Sequence, residues 1–237
     1  MKLGEILHSL FPAGYDLGAE GNLIAGQGSL PCGRRIHVLG VTEGMSLGVE
    51  EALWLAQRVL EVGRARDATS ILLLVDSGSQ RMSRRDELLG LNEYLAHLAK
   101  ALILAELAGH GSIGLLYGHS AAGAFIATGL ATSALVALPG ATPTVMDLPS
   151  MARVTKLSVE FLREKAATTP IFAPGLDNLA QAGAVLEIWD AGKPLDLQLA
   201  KCLSKLPATD ERDRLGRERG GRPKAATIAA RVAQSAF

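Results

Sequence analysis

Residues 115–127 run without a break from an apolar strand through a turn of small residues into a helix start. The turn is Gly118-His119-Ser120-Ala121-Ala122-Gly123-Ala124, in which Ala121, Ala122 and Gly123 carry minimal side chains that permit close approach to the backbone. Two chemistries use such a junction. Ser120 lies in a G-x-S-x-A setting, close to the nucleophile elbow G-x-S-x-G of α/β-hydrolases. Alternatively, the backbone N–H groups at the helix start form an oxyanion hole aimed at a developing negative charge.

The histidines weigh between them. They are His8, His37, His97, His110 and His119, and none follows Ser120. Elbow hydrolases order their triads Ser…Asp/Glu…His, and a ClpP-like serine peptidase has serine before histidine as well. A base from His97 or His110 requires another chain order, which convergent triads do show. The competing reading of Ser120 is an N-cap for the helix that follows.

A second landmark precedes the turn. Ile71, Leu72, Leu73, Leu74 and Val75 form a continuous apolar run closed by Asp76-Ser77-Gly78-Ser79. Such a run followed by a helix predicts a strand covered on both faces. Ser83 with Asp86 reads as a capping box, opening one helix that carries Leu88, Leu91, Leu95, Leu98 and Leu102 to about Gly109. Residues 23–25 and 36–41 predict a hairpin, and Ser46 is expected to cap a helix with Glu50 and Glu51 in its first turn. Trp54 on that helix is expected in the core or an interface. Further strands are predicted at 112–117, 134–138, 144–146 and 185–189, with helices dominating from Leu148 onward. Residues 1 to about 20 read as an irregular arm with at most one short helix. Strand–helix alternation implies a mostly parallel sheet. It also places the Asp76 strand end and the Gly118 turn at carboxyl ends, where open α/β sheets bind ligands.

Composition narrows the function. Twenty-four basic residues balance twenty-four acidic ones and aromatics make up 4% of the chain, a poor basis for nucleic-acid or anionic-membrane binding. No apolar run reaches the length of a membrane span, and no signal peptide is evident. Cys32 and Cys202 give neither a disulfide framework nor a metal spacing. These features predict a cytoplasmic protein of one domain over residues 1–237. A mobile, solvated charged loop is expected at about 209–224, where residues 211–224 hold six basic and three acidic side chains. Residues 225–237 read as a terminal helix.

The strand end Val75-Asp76-Ser77-Gly78, the long helix after it and the Gly/Ser/Ala turn resemble the carboxyltransferase branch of the crotonase superfamily. There the turn reads G-x-x-S-G-G-A, with glycine where this chain has Ala122. Asp76-Ser77-Gly78-Ser79-Gln80-Arg81 and Gly123-Ala124-Phe125-Ile126-Ala127 resemble most closely the gamma-subunit family of biotin-independent malonate decarboxylases. The resemblance covers about residues 20–205. It implies a crotonase/ClpP-like α/β fold of ββα-type units with a mostly parallel sheet and a helical C-terminal part. It further implies a beta partner subunit and a malonyl thioester carried on the phosphopantetheine-type, dephospho-CoA-derived arm of an acyl carrier protein, with an acyl-carrier transferase subunit in the same assembly. The chain itself would bind no cofactor and no metal. Loss of CO₂ would leave an enolate held by the amides of Ala121, Ala122 and Gly123. Ser77, Gly78, Gln80, Arg81, Gly118, His119 and Ser120 would bind substrate. Three alternatives stay open: the alpha-type half of a biotin-dependent acyl-CoA carboxyltransferase, a non-catalytic scaffold in a thioester-processing complex, and a serine hydrolase using Ser120.

Overall fold

The computed structural model describes residues 1–65, 67–170 and 173–235. Its centre is a seven-stranded sheet in the order β1 (Tyr15–Glu20), β2 (Leu23–Ser29), β3 (Arg35–Leu47), β4 (Ile71–Gln80), β5 (Ser112–Leu116), β7 (Ala134–Ala137) and β9 (Glu187–Ile188). The first three strands pair antiparallel, as the hairpin at 23–25 and 36–41 predicts. From β3 onward all pairing is parallel. A second, two-stranded sheet joins β6 (His119–Ala121) to β8 (Thr142–Thr144).

The uniformly apolar strands have cover on both faces, because parallel strands joined by crossover helices bury both sides. Leu73 and Val75 face a core built with α2 (Val49–Arg64) and α4 (Leu91–Leu107), together with α5 (Ala122–Ala127). Leu72 and Leu74 face the opposite core with α1 (Leu3–Leu10), α9 (Leu195–Leu203) and the buried Trp189. Cys202 is buried there, which pushes its thiol up to about 11; Cys32 is exposed, and both are free.

Several boundaries differ from the sequence reading. The N-terminal arm is ordered as α1 and β1, an edge strand whose apolar content is too low to announce itself. Ser46 lies within β3, not at a cap; the N-cap of α2 is Gly48, whose N–H donates to Glu51 Oε2 at 2.8 Å. The helix expected from Ser83 is two: α3 (Arg84–Leu88), capped by Ser83 Oγ accepting from Asp86 N, and α4 after a left-handed Gly90 at φ 79°. Trp54 sits at a half-buried rim, donating to Glu20 Oε2 at 2.8 Å under the Arg58 guanidinium.

The C-terminal part is helical as expected: α6 (Leu148–Thr155), α7 (Val159–Thr168), α8 (Leu176–Gln181), α10 (Arg212–Glu218) and α11 (Ala225–Ser235), with residues 236–237 of the predicted terminal helix outside the described residues. The charged segment at 209–224 holds the short helix α10 at Arg212–Glu218, and two of its arginines tie it to the body of the domain. Arg212 donates to the carbonyls of Leu130 (2.6 Å) and Thr132 (3.0 Å). Arg219 donates to those of Ala180, Val185 and Leu186, each at 2.7 Å. A count of charges misses this because an arginine fork satisfies carbonyls as well as it pairs with acids. Among the described residues no helix is long and apolar enough to cross a membrane.

Arg219→Ala removes a donor from three carbonyls, of which Ala180's keeps the Gly183 N–H at 3.1 Å, and is expected to destabilise the fold by about 2–3 kcal/mol. Arg214→Ala, which breaks only exposed ion pairs to Glu211 and Glu218, is expected to cost under about 1 kcal/mol. Urea unfolding of the two variants checks the contrast.

Candidate active site at the ends of β4 and β5

Strand β4 does not stop at Val75. Its apolar part pairs with β5 up to Val75 opposite Leu116, and the strand then continues through Asp76, Ser77, Gly78 and Ser79 to Gln80. The residues read as a strand end are therefore strand, paired on the other side with β3, where Met45 faces Ser77 and Leu47 faces Gln80. The three-residue step on β4 against two on β3 makes a bulge at Gly78-Ser79, a device found beside active sites. Gly78 is required there: a Cβ would lie 2.9 Å from Ser46 Oγ and 3.0 Å from the Gly44 carbonyl.

Three side chains of this extension lace the turn. Asp76 Oδ1 accepts the His119 N–H at 3.0 Å, Ser77 Oγ and Ser120 Oγ are 2.8 Å apart, and Gln80 Oε1 accepts the Gly123 N–H at 2.9 Å. Each pair is separated by 43 residues, so the turn runs alongside β4 in fixed register after the backbone ladder has ended. Gly118 lies under the Asp76 carboxylate, where a Cβ would come within 2.1 Å of Oδ1. The His119 side chain is exposed, with Nδ1 3.0 Å from Thr142 Oγ1.

Ser120 is neither cap nor exposed nucleophile. The N-cap position of α5 is Ala121, one residue later, with no side-chain cap bond. Ser120 is fully buried and its hydroxyl is engaged by the equally buried Ser77. His110 is also fully buried, before β5, with Nδ1 2.9 Å from the Thr69 carbonyl. That is the opposite end of the strand from Ser120. His97 lies on α4, and no histidine bonds Ser120 among the described residues.

The three expected amides occupy different situations. Gly123's is already taken by Gln80. In a paired strand successive N–H groups face opposite edges, so Ala121, at the end of β6, presents its N–H to the same side as His119. Ala122 opens α5 with φ 51°, a left-handed conformation uncommon for alanine, and a first-turn N–H has no partner within its own helix. Glycine adopts this left-handed angle without the strain that an alanine carries there.

Arg81 points away from the turn into an acidic cluster. Its guanidinium bonds Glu51 and lies 3.6 Å from Glu50 and 3.8 Å from Asp86. Those carboxylates raise its pKa, Glu51 most. The Asp86 side chain is buried, accepts from Val49 N at 3.1 Å and meets Ser83 Oγ at 2.6 Å. The Ser83 hydroxyl is the main cause of its lowered pKa, followed by the Val49 amide and the two arginines 81 and 85. Sequence reasoning gave Glu51 and Asp86 helix-start roles only and assigned no contact to the Asp76 side chain. An acid closing an apolar strand was the available signal for that contact. Tyr117, whose phenol oxygen is buried without a partner among the described residues, was also missed; burial pushes its pKa up, with Asp76 and Glu43 adding to the effect.

The chain as a whole is similar to known proteins. The sequence model of the malonate decarboxylase gamma subunit matches residues 42–236. The malonyl-S-ACP:biotin-protein carboxyltransferase MADD of Malonomonas rubra is 31% identical over 196 residues, spanning 74% of this chain and 67% of that protein. A Pseudomonas malonate decarboxylase hetero-tetramer in complex with coenzyme A contains a chain that superposes with a TM-score of 0.79 at 28% identity, covering 98% of both chains. A chain of the Pseudomonas MdcD-MdcE hetero-dimer gives 0.77 at 27% identity, again over 98% of both. Transcarboxylase 12S shares the fold, with a TM-score of 0.68 at 18% identity over 86% of this chain and 40% of that one.

Two outcomes test the turn. Ala122→Gly relieves the left-handed angle and is expected to stabilise the protein by about 1 kcal/mol, whereas Gly118→Ala collides with Asp76 and is expected to lower the melting temperature. For Asp86, a folded pKa below the unfolded value means that its contribution is present above about pH 4 and lost as the solution is acidified through the folded pKa. The stability gap between wild type and Asp86→Asn should therefore shrink below pH 4, as denaturant titrations across pH would show. With its sequence matching the family model over most of its length and its fold matching over nearly all of it, the chain belongs to the malonate decarboxylase gamma-subunit family.

Proposed function

We propose that this chain, as the gamma subunit of a malonate decarboxylase, supplies one half of a pocket in which a malonyl thioester on an acyl carrier protein loses CO₂. The other half comes from a beta subunit. The thioester rides on the phosphopantetheine-type, dephospho-CoA-derived arm of the carrier, loaded by an acyl-carrier transferase subunit, and the assembly works in the cytoplasm. The carrying observation is the lacing of the 118–123 turn to β4, which sets main-chain donors in a fixed array.

The chemistry needs little else. As the C2–carboxylate bond breaks, its electron pair moves into the thioester and the negative charge grows on the carbonyl oxygen. CO₂ departs, and a proton delivered to C2 gives the acetyl thioester. Donors already in place for that oxygen stabilise the transition state more than the ground state, by about 3–4 kcal/mol for each well-placed amide. Ala121 and Ala122 are assigned as these donors. The Gly123 amide, held by Gln80, fixes the start of α5 behind them. Ser77, Gly78, Gly118, His119 and Ser120 shape the pocket through their packing. Arg81 anchors the end of β4.

A second reading follows from the Malonomonas rubra relative, whose name describes transfer to a biotin protein. There the same enolate forms while the carboxyl group passes to biotin. The assembled beta–gamma pair, given malonyl carrier protein with and without a biotin protein, separates the two. Free CO₂ and acetyl carrier in its absence support the decarboxylase, and strict dependence on the biotin protein supports the transferase. Within this scheme Ser120→Ala is expected to retain decarboxylation within about fivefold, since the lost hydroxyl bond costs about 1 kcal/mol. Loss of all turnover in that variant would return Ser120 to the role of nucleophile.

A further inference from the structure

The orientation of one side-chain amide is dictated by its neighbour. The Gly123 N–H is a donor, so the atom of Gln80 that meets it at 2.9 Å is the carbonyl oxygen. The other fork of that amide, Nε2 with its two hydrogens, therefore points away from Gly123. It forms no hydrogen bond with any described residue, and it is not among the buried polar atoms left without a partner. A neutral donor of fixed direction thus stands open beside the turn, on the half-buried end of β4.

The cation next in sequence is already engaged by acids. Arg81, the next residue, has its charge engaged by Glu51, Glu50 and Asp86. Arg85 is spent on Glu50 at 2.5 Å. The β4 end therefore offers an anion a neutral donor in place of a free guanidinium. For a carboxylate about to leave as CO₂ this matters. A full positive charge would hold the ground-state carboxylate and give that stabilisation up as charge drains toward the thioester, raising the barrier. A single amide donor orients the group at far smaller cost.

We infer that Gln80 Nε2 is the donor that recognises the malonyl carboxylate and distinguishes malonyl from acetyl thioesters. This rests on the decarboxylase reading, and it adds the atom that selects the substrate. Two substitutions divide the amide's functions. Gln80→Glu keeps an oxygen for the Gly123 N–H and replaces the donor by a negative acceptor. Gln80→Met removes both.

The test is binding of malonyl and acetyl arm analogues, with methylene in place of the thioester sulfur, to the assembled beta–gamma complex by calorimetry. No turnover is required. In wild type the malonyl analogue is expected to bind the more tightly. In Gln80→Glu its Kd should rise at least tenfold, with the acetyl Kd changed less than twofold. Gln80→Met should weaken both, because the turn loses its anchor. Equal weakening of both analogues in Gln80→Glu would move the donor to the thioester oxygen, and an unchanged malonyl Kd would remove Gln80 from recognition; either overturns the inference. Parallel CO₂ release by wild type keeps the two ideas separable. A complex that selects malonyl through Gln80 but releases no CO₂ refutes the decarboxylase reading and leaves the recognition intact.

Discussion

The site depends on β4 outrunning its partner. Backbone pairing between β4 and β5 ends where Val75 faces Leu116, yet β4 carries on to Gln80 because β3, bulged between Val41 and Met45, still supports its other edge. The turn after β5 then has no main-chain ladder to β4, and on that edge side chains take over. Asp76, Ser77 and Gln80 replace carbonyls with a carboxylate, a hydroxyl and an amide, each reaching a group 43 residues on. A turn held this way is paired with β8 along one edge and laced to β4 by side chains along the other, so the amides on the β4 side keep their direction without a main-chain ladder. That is the condition for amides that serve a ligand.

Charge placement follows from the same extension. The chain leaving β4 must turn back toward α3, and it does so around the Arg81 guanidinium, packed against Gly48 at the start of α2. A Cβ on Gly48 would come within 2.7 Å of that guanidinium carbon. Acids from α2 and α3 converge on it. Glu51 additionally caps α2 and Asp86 bonds the Val49 amide, so two helix N-termini and one strand end are fixed by a single network. Breaking one partner of such a network costs more than a surface ion pair would suggest, because the remaining buried groups are left uncompensated.

Much of this was legible in the sequence, and the losses have physical causes. The apolar run at 71–75, the strand at 112–117 and the antiparallel hairpin appear as predicted because burial on two faces leaves an unmistakable composition. The reach of β4 beyond Val75 was hidden because Asp, Ser, Gly and Gln have low strand propensity; their strand is imposed by β3 and by the turn they hold. The Ser46 cap failed because a strand claimed the residue first, and Gly48 with Glu51 served instead. Gly90 breaks the predicted long helix through a backbone angle that periodicity does not register. At the site, the small residues announced a backbone-lined turn. Which amides were already engaged was not readable, since Gln80 and Gly123 meet only through the register of two strands.

The residue identities at the turn now have steric explanations that owe nothing to reacting side chains. Gly118 is glycine because Asp76 stands on it, and Ala122 is small because its left-handed angle penalises anything larger or branched. Ser120 is a serine because the buried Ser77 hydroxyl needs a partner in a space closed to water. A serine between two such residues mimics a nucleophile motif while its hydroxyl faces the interior. When a main chain performs the chemistry, selection acts on the shapes that let it be approached. A strained alanine beside a buried, hydrogen-bonded serine is consistent with the backbone site proposed above, whereas an activated serine would require exposure and a base.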